Sequence, residues 1–304
     1  MRDFAESADR APFPAGYRDE PRYLGYRDAD LSRPYAEFMA PATAPVQPHV
    51  LQALAAGMAP PELAHGVDEV ADRLARPGHE RLETGWTRLA SGVVVVAVRT
   101  AMPGCTAAMW DWWFAWHSTE TARYKLWHPD AHRYAAIAED RRADRGLTDR
   151  QRYVGNVSYV DEYIGGRLQR LAIRFLDPER LGLTAAPGTT HVCARVTLSA
   201  LPVAIGWLVH QVRPTDDGVE MRSRFFLNDV ALLDLPRRAL PGSAAARLLG
   251  SRPARAVAPL AVGPIASLAM PRTLGADLLH HCAAEMNHLA GFLPRLHQTL
   301  RDLP

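Results

Sequence analysis

The order of elements in the second half of the chain constrains the fold most: five strand-like segments followed by one long helix. Segments 152–163, 170–175, 191–198, 203–213 and 219–228 are rich in β-branched and aromatic residues. Gly165-Gly166, Pro187-Gly188, Pro202 and Asp216-Asp217-Gly218 separate them, which are hairpin and turn signals. Residues 273–301 then read as a helix, with Leu278, His281, Cys282, Glu285, Met286 and Leu289 on one stripe and Pro294 kinking or capping it near the end. Antiparallel strands followed by a long helix predict an α+β domain in which a curved sheet grips the helix and leaves an apolar cavity between them.

The first half adds to this frame. Residues 1–48 read as an irregular arm with a short helix near 36–39. Residues 47–76 read as helical, with Val50, Leu51 and Leu54 and then Val67, Val70 and Leu74 at three- and four-residue steps, broken at Pro60-Pro61. Residues 87–90, Ser91-Gly92 and 93–98 read as a hairpin whose valine run suits a buried strand. Thr106 is placed to cap an aromatic helix through Trp110, Trp113, Phe114 and His117, interrupted at Ser118-Thr119 before residues 120–127. The predicted division is a mostly helical region over 1–80 and a larger domain of strands and helices over 81–304. Within the latter, 235–265 is a Pro-, Ala-, Gly- and Arg-rich excursion.

Composition excludes several classes. Thirty-five Lys and Arg against 33 Asp and Glu leave a net charge of +2, too little to draw nucleic acid or an anionic membrane. Three scattered cysteines without a C-x-x-C predict neither a disulfide framework nor a thiolate metal site. The longest apolar stretch, 254–270, contains Arg255, Pro259, Gly263 and Pro264, so no membrane span is expected. Residues 1–10 carry Asp3, Glu6 and Asp9 and no apolar run, so a cytoplasmic location is expected.

Three polar intrusions into apolar faces carry the chemistry. His281 and Glu285 stand four apart, on one face of a helix, where an imidazole and a carboxylate can reach the same ion; a His–Glu hydrogen bond in the core is the alternative. In Trp127-His128-Pro129-Asp130-Ala131-His132 the proline ends the preceding helix and can begin a new turn carrying His132. That favours His132 as a ligand with His128 as a positioning group; a surface turn is the alternative. In the strand containing Glu162, period-two alternation puts Ser158, Val160, Glu162 and Ile164 on one face, so Glu162 points inward or pairs with an arginine at a sheet edge. Together these give His132, Glu162, His281 and Glu285. Two neutral imidazoles and two carboxylates balance a divalent ion, and a thiolate-free N/O set suits Zn2+ first, with iron, manganese or cobalt also possible. His210, sharing a face with Ala204, Leu208 and Val212 if no bulge intervenes, is a candidate cavity acid or base. Tyr124, one turn before His128, is a candidate hydrogen-bond partner for a phenolic or carbonyl ligand.

Four segments resemble a known family when taken together. They are Trp113-Phe114-Ala115-Trp116-His117-Ser118; Arg123-Tyr124-Lys125-Leu126-Trp127-His128-Pro129-Asp130-Ala131-His132; Glu162-Tyr163-Ile164-Gly165; and His281-Cys282 with Glu285-Met286-Asn287-His288-Leu289. Over residues 82–300 the chain resembles the 2,4-diacetylphloroglucinol hydrolase family, which includes phloretin hydrolase. The resemblance implies a Bet v 1-like helix-grip fold and a homodimer with one Zn2+ per chain. It implies hydrolysis of the carbon–carbon bond between an acyl group and a polyhydroxylated ring, with a small acylphenol as substrate. It carries the metal ligands to His132, Glu162, His281 and Glu285, and pocket roles to Tyr124 and His210. Arg224-Phe225-Phe226 stands where the family is expected to offer a further pocket tyrosine, and 235–265 is an insertion-like second departure. A non-catalytic carrier of aromatic ligands and a polyketide cyclase or aromatase are the rival readings.

Overall fold

A computed structural model describes residues 13–14, 16–233 and 271–302. Its eight strands are β1 (Gly85–Arg88), β2 (Val94–Pro103), β3 (His132–Ile137), β4 (Val157–Ile164), β5 (Arg167–Leu176), β6 (Thr190–Leu198), β7 (Val203–Thr215) and β8 (Gly218–Leu232). They form one sheet in the order β1-β2-β8-β7-β6-β5-β4-β3, with every neighbouring pair antiparallel. The helices are α1 (Asp28–Leu31), α2 (Pro48–Ala56), α3 (Val70–Leu74), α4 (Ala107–His117), α5 (Thr121–Trp127), α6 (Asp149–Tyr153), α7 (Leu274–Ala290) and α8 (Leu293–Leu300). This is the α+β architecture expected. None of the described helices is long and apolar enough to cross a membrane.

Both faces of the sheet are covered, which explains the unbroken valine run of β2. Val94, Val96 and Val98 join the main core with α4, α5 and α7. Val95 faces the opposite way and packs with Val70, Leu74, Trp207, Val209 and Phe226. Residues 16–80 feed both cores: Tyr35, Phe38, Val46 and Val50 belong to the first, Val70 and Leu74 to the second. The three cysteines are buried and free.

Local chemistry sets the element ends. The Thr106 side chain accepts from the Met109 amide at the start of α4, a cap worth about 1 kcal/mol. Gly165 and Gly166, both at positive φ, make the two-residue turn that joins β4 to β5 and pairs Ile164 with Arg167, so the turn fixes the register of β4.

Four details depart from the sequence reading. Residues 132–137 form a strand that the pattern did not predict, since Ala135 and Ala136 carry little strand preference. Residues 149–153 form a helix where a strand was expected to begin at 152. Thr148 and Gln151 make its reciprocal capping box, and β4 starts only at Val157 after Gly155. A register shift between Ala204 and Gly206 removes Ala204 from the face of Leu208 and Val212; Ala204 packs instead with Leu233. Gly206 sits so close to β8 that a Cβ would lie 2.6 Å from the Phe226 carbonyl oxygen. The expected final helix is two helices, since Gly291 ends α7 and Pro294 lies in the first turn of α8. The 235–265 excursion and the whole 254–270 apolar stretch lie outside the described residues.

Candidate metal centre and cavity

α5 ends before Pro129, and the chain makes a single turn in which the His128 carbonyl accepts from the Ala131 and His132 amides at 3.1 and 2.9 Å. His132 is the first residue of β3 and the direct cross-strand partner of Glu162. A register shift follows between His132 and Tyr134. Residues two apart on a regular strand share a face; this bulge breaks the rule. His132 pairs with Glu162, whereas Tyr134 pairs with Asp161 and packs against Tyr17.

The His132 ring lies flat on the Tyr124 ring, centroids 3.7 Å apart and planes 2° apart. Its Nδ1 donates to the Tyr124 carbonyl oxygen at 2.9 Å, which fixes the proton on that nitrogen. Nε2 therefore carries the lone pair, is buried and has no hydrogen-bond partner. It faces Glu162 Oε2 at 3.7 Å and Glu285 Oε2 at 3.5 Å. From α7, His281 and Glu285 reach the same point four residues apart, with Nε2 to Oε2 at 3.8 Å. One ligand atom each of His132, Glu162 and His281 lie within 4.8 Å of one another, and this buried group can hold a metal ion. An orphaned imidazole lone pair facing two carboxylates is the donor arrangement a divalent cation requires.

Electrostatics agree. Burial pushes Glu162 up to about 7, although the Tyr124 hydroxyl donates to its Oε2 and opposes the rise. Burial, with the nearby Glu162 charge, drives Glu285 well up. Burial and neighbouring imidazoles drive His132 and His281 well down. Among the described residues both carboxylates thus face burial without a cationic side chain beside them, and a bound cation would reverse that balance.

His128 stands outside this group. Its ring stacks on His281 at 4.8 Å, and its Nδ1 lies 2.7 Å from Thr43 Oγ1. The cavity beside the group is narrow, about 70 Å³, and mostly apolar, walled by Phe114, Trp127, Val160, Phe175 and Phe225. Tyr124 and His210 line it. His210 Nδ1 lies 2.7 Å from Ser223 Oγ, and burial pushes the ring's pKa down to about 3. Phe225 faces the cavity where the sequence comparison lacked a hydroxyl. Arg222 and Arg224 turn the other way, onto Glu83 and Glu80. His117 also lines the cavity, and the sequence reading left it as a helix residue. The signal was present, because His117 follows Trp113 by four residues on a buried aromatic stripe, the argument that singled out His281.

Comparison with known proteins matches residues 67–298 to the DAPG hydrolase PhiG domain family. The 2,4-diacetylphloroglucinol hydrolase of Pseudomonas protegens is 33% identical over 237 residues, covering 76% of this chain and 72% of that protein. The enzyme of the same name from a Pseudomonas species is 32% identical over 237 residues, 76% of each chain. Phloretin hydrolase of Eubacterium ramulus is 29% identical over 212 residues, 67% of this chain and 76% of that protein. With this match, the chain belongs to the DAPG hydrolase PhiG domain family and is an enzyme, a hydrolase.

Proposed function

We propose that the protein is a metal-dependent hydrolase of acylphenols. It cleaves the carbon–carbon bond between an acyl group and a polyhydroxylated aromatic ring, converting a 2,4-diacetylphloroglucinol-like substrate to monoacetylphloroglucinol and acetate. One observation carries the reading: His132, Glu162, His281 and Glu285 converge at an apolar cavity in a chain of this family. The thiolate-free donor set favours Zn2+, one per chain. The family reading also brings a Bet v 1-like helix-grip fold and a homodimer, and the scattered cysteines and polar N-terminus support a cytoplasmic location.

The chemistry is a retro-Claisen hydrolysis. The ring hydroxyl beside the acyl group loses its proton as the ring carbon bearing that group gains one, giving a β-diketone. Water adds to the acyl carbonyl, the carbon–carbon bond breaks, and its electron pair returns to the ring oxygen. Acid and deacylated phenol account for all atoms. His132, Glu162, His281 and Glu285 would hold a divalent ion, which would supply Lewis acidity for a carbonyl and for the ionisation of water.

The chain does the rest. The aromatic walls hold a flat ring and exclude solvent. Tyr124, whose proton goes to Glu162, offers its phenolic oxygen as an acceptor to a substrate hydroxyl. Ser223 fixes the Nδ1 edge of His210, leaving Nε2 to meet a phenolic oxygen and relay its proton. Burial keeps that imidazole neutral, so it returns the proton instead of retaining a charge. His128 positions His281 from behind.

The test joins elemental analysis to an acetate-release assay with 2,4-diacetylphloroglucinol. The expected result is one zinc per chain, turnover lost on chelation and regained on adding zinc. Full turnover in metal-free protein sinks the proposal. Tight acylphenol binding without turnover would make the protein a carrier, and a cyclised polyketide product would make it a cyclase.

A further inference from the structure

Three histidines line the cavity, and the proposed reaction uses two: His281 in the metal group and His210 on β7. The third, His117, is the last residue of α4 and is 3% exposed. Its Nδ1 lies 2.6 Å from the Trp113 carbonyl oxygen. A carbonyl only accepts, so Nδ1 holds the proton. Burial pushes the pKa of the ring down to about 3, which leaves a single proton on it at neutral pH, and Nε2 presents a lone pair. Ser118 Oγ stands 3.5 Å from that nitrogen, but its hydroxyl already donates to the Phe114 carbonyl at 2.9 Å. Nε2 is thus left with a long contact to a hydroxyl whose proton is directed to a carbonyl.

The ring is held on both sides and at one edge. It lies between Trp113, 4.8 Å away at 20°, and Tyr124, 5.9 Å away at 22°. Its Nδ1 edge is bound to its own helix, so the opposite edge, with Nε2, is the one left to line the cavity. Phe114 touches both His117 at 5.3 Å and His210 at 6.3 Å. Two neutral imidazoles, one from α4 and one from β7, therefore flank the same phenyl ring. They suit a ligand that carries hydroxyls at separated positions around one aromatic ring.

We propose that His117 determines specificity, its Nε2 accepting a hydrogen bond from a ring hydroxyl of the bound acylphenol. The cavity then selects the trihydroxylated ring over one lacking that hydroxyl. The inference rests on the hydrolase reading above. A buried acceptor that is poorly served until a ligand donates to it penalises any ligand without that donor, because the acceptor has lost water and gained little.

The experiment compares kcat and KM for wild-type protein and His117→Phe on 2,4-diacetylphloroglucinol and on diacetylresorcinol, which has one hydroxyl fewer. Phenylalanine keeps the stacked ring and deletes Nε2. Wild type should prefer the triol by about tenfold or more in kcat/KM, and the variant should lose that preference by falling on the triol alone. An unchanged preference, or equal losses on both substrates, overturns the assignment of His117. Wild type inert toward both substrates overturns the hydrolase reading itself, a separate result. Should the variant not fold, nitrogen-15 NMR of wild type decides: monoacetylphloroglucinol should shift the His117 Nε2 resonance and a dihydroxyacetophenone should not. Identical spectra with both overturn the assignment.

Discussion

The sheet carries a buried polar cluster on each face, and the two behave oppositely. On the outer face Arg222 and Arg224 of β8 meet Glu83 and Glu80, 2.8 Å apart at the Arg224–Glu80 and Arg224–Glu83 pairs. His65 adds to Glu80 at 3.1 Å, and Gln211 accepts from Arg222 at 3.0 Å. Burial raises both carboxyls, but hydrogen bonds from His65 to Glu80 and from Arg222 to Glu83, with the Arg224 charge, hold each down at about 2. On the cavity face Glu162 and Glu285 are as deeply placed, and among the described residues only histidines stand within ion-pair distance. Burial wins there and both carboxyls rise. Burial is common to the two faces; a facing cation belongs to one. The outer cluster is a finished structural clamp, and the cavity cluster is a group that could take a cation from outside.

Removing charge should therefore act differently on each face. Arg224→Met leaves Glu80 and Glu83 buried with too little positive charge, and breaking a buried pair in this way costs about 3–5 kcal/mol. Urea denaturation should show that loss. Glu285→Gln in metal-free protein removes a carboxyl that lacks a cationic partner, so its stability should stay within about 1 kcal/mol or rise. The same variant should lose the stabilisation that zinc gives wild type. A loss at Glu285 as large as that at Arg224, with metal absent, would erase the distinction between the faces.

The cavity cluster was far more legible in the sequence than the outer one. His281 and Glu285 announce themselves because four residues of helix separate them on an apolar stripe. Glu162 follows from strand alternation and the Gly165-Gly166 turn. Glu80, Glu83, Arg222 and Arg224 offered no such pattern: about 140 residues separate the partners, and charged side chains in a strand ordinarily read as a solvated face. Bulges were hidden for a related reason. The shifts after His132 and at Gly206 arise from pairing with β4 and β8, so no local pattern encodes them. The first bulge still decides the site, since it alone turns His132 and Tyr134 to opposite faces.

Acid should expose the outer clamp. Glu80 and Glu83 lie at about 2 when folded against an ordinary value of 4.5. Between those values the unfolded chain binds more protons, so stability falls as pH falls. The contribution is whole above pH 4.5 and is lost on the way down to about pH 2. The Glu80→Gln/Glu83→Gln double variant should start less stable and show a flatter dependence over that window in denaturation at stepped pH. Parallel slopes for wild type and variant would remove these carboxylates as the cause.

The smallest effect should come from the segment that joins the two clusters. Residues before β1 supply Glu80 and Glu83 to the outer face, and the same region reaches the cavity side through Thr43. Its Oγ1 lies 2.7 Å from His128 Nδ1, and its amide donates to Asp130 at 2.7 Å. His128 in turn stacks on His281. Thr43→Val removes one hydrogen bond and keeps the shape and the backbone contact, so His128 is loosened, not displaced. Changing a group that touches a metal ligand typically weakens metal binding by ~10–100-fold. Thr43 is one residue further out, so zinc affinity should fall by about tenfold at most, with kcat unchanged once zinc is saturating. Competition with a chromophoric chelator measures it. A fall of about a hundredfold would mean that His128 itself binds the ion, enlarging the cavity cluster by one ligand and extending it to the surface turn.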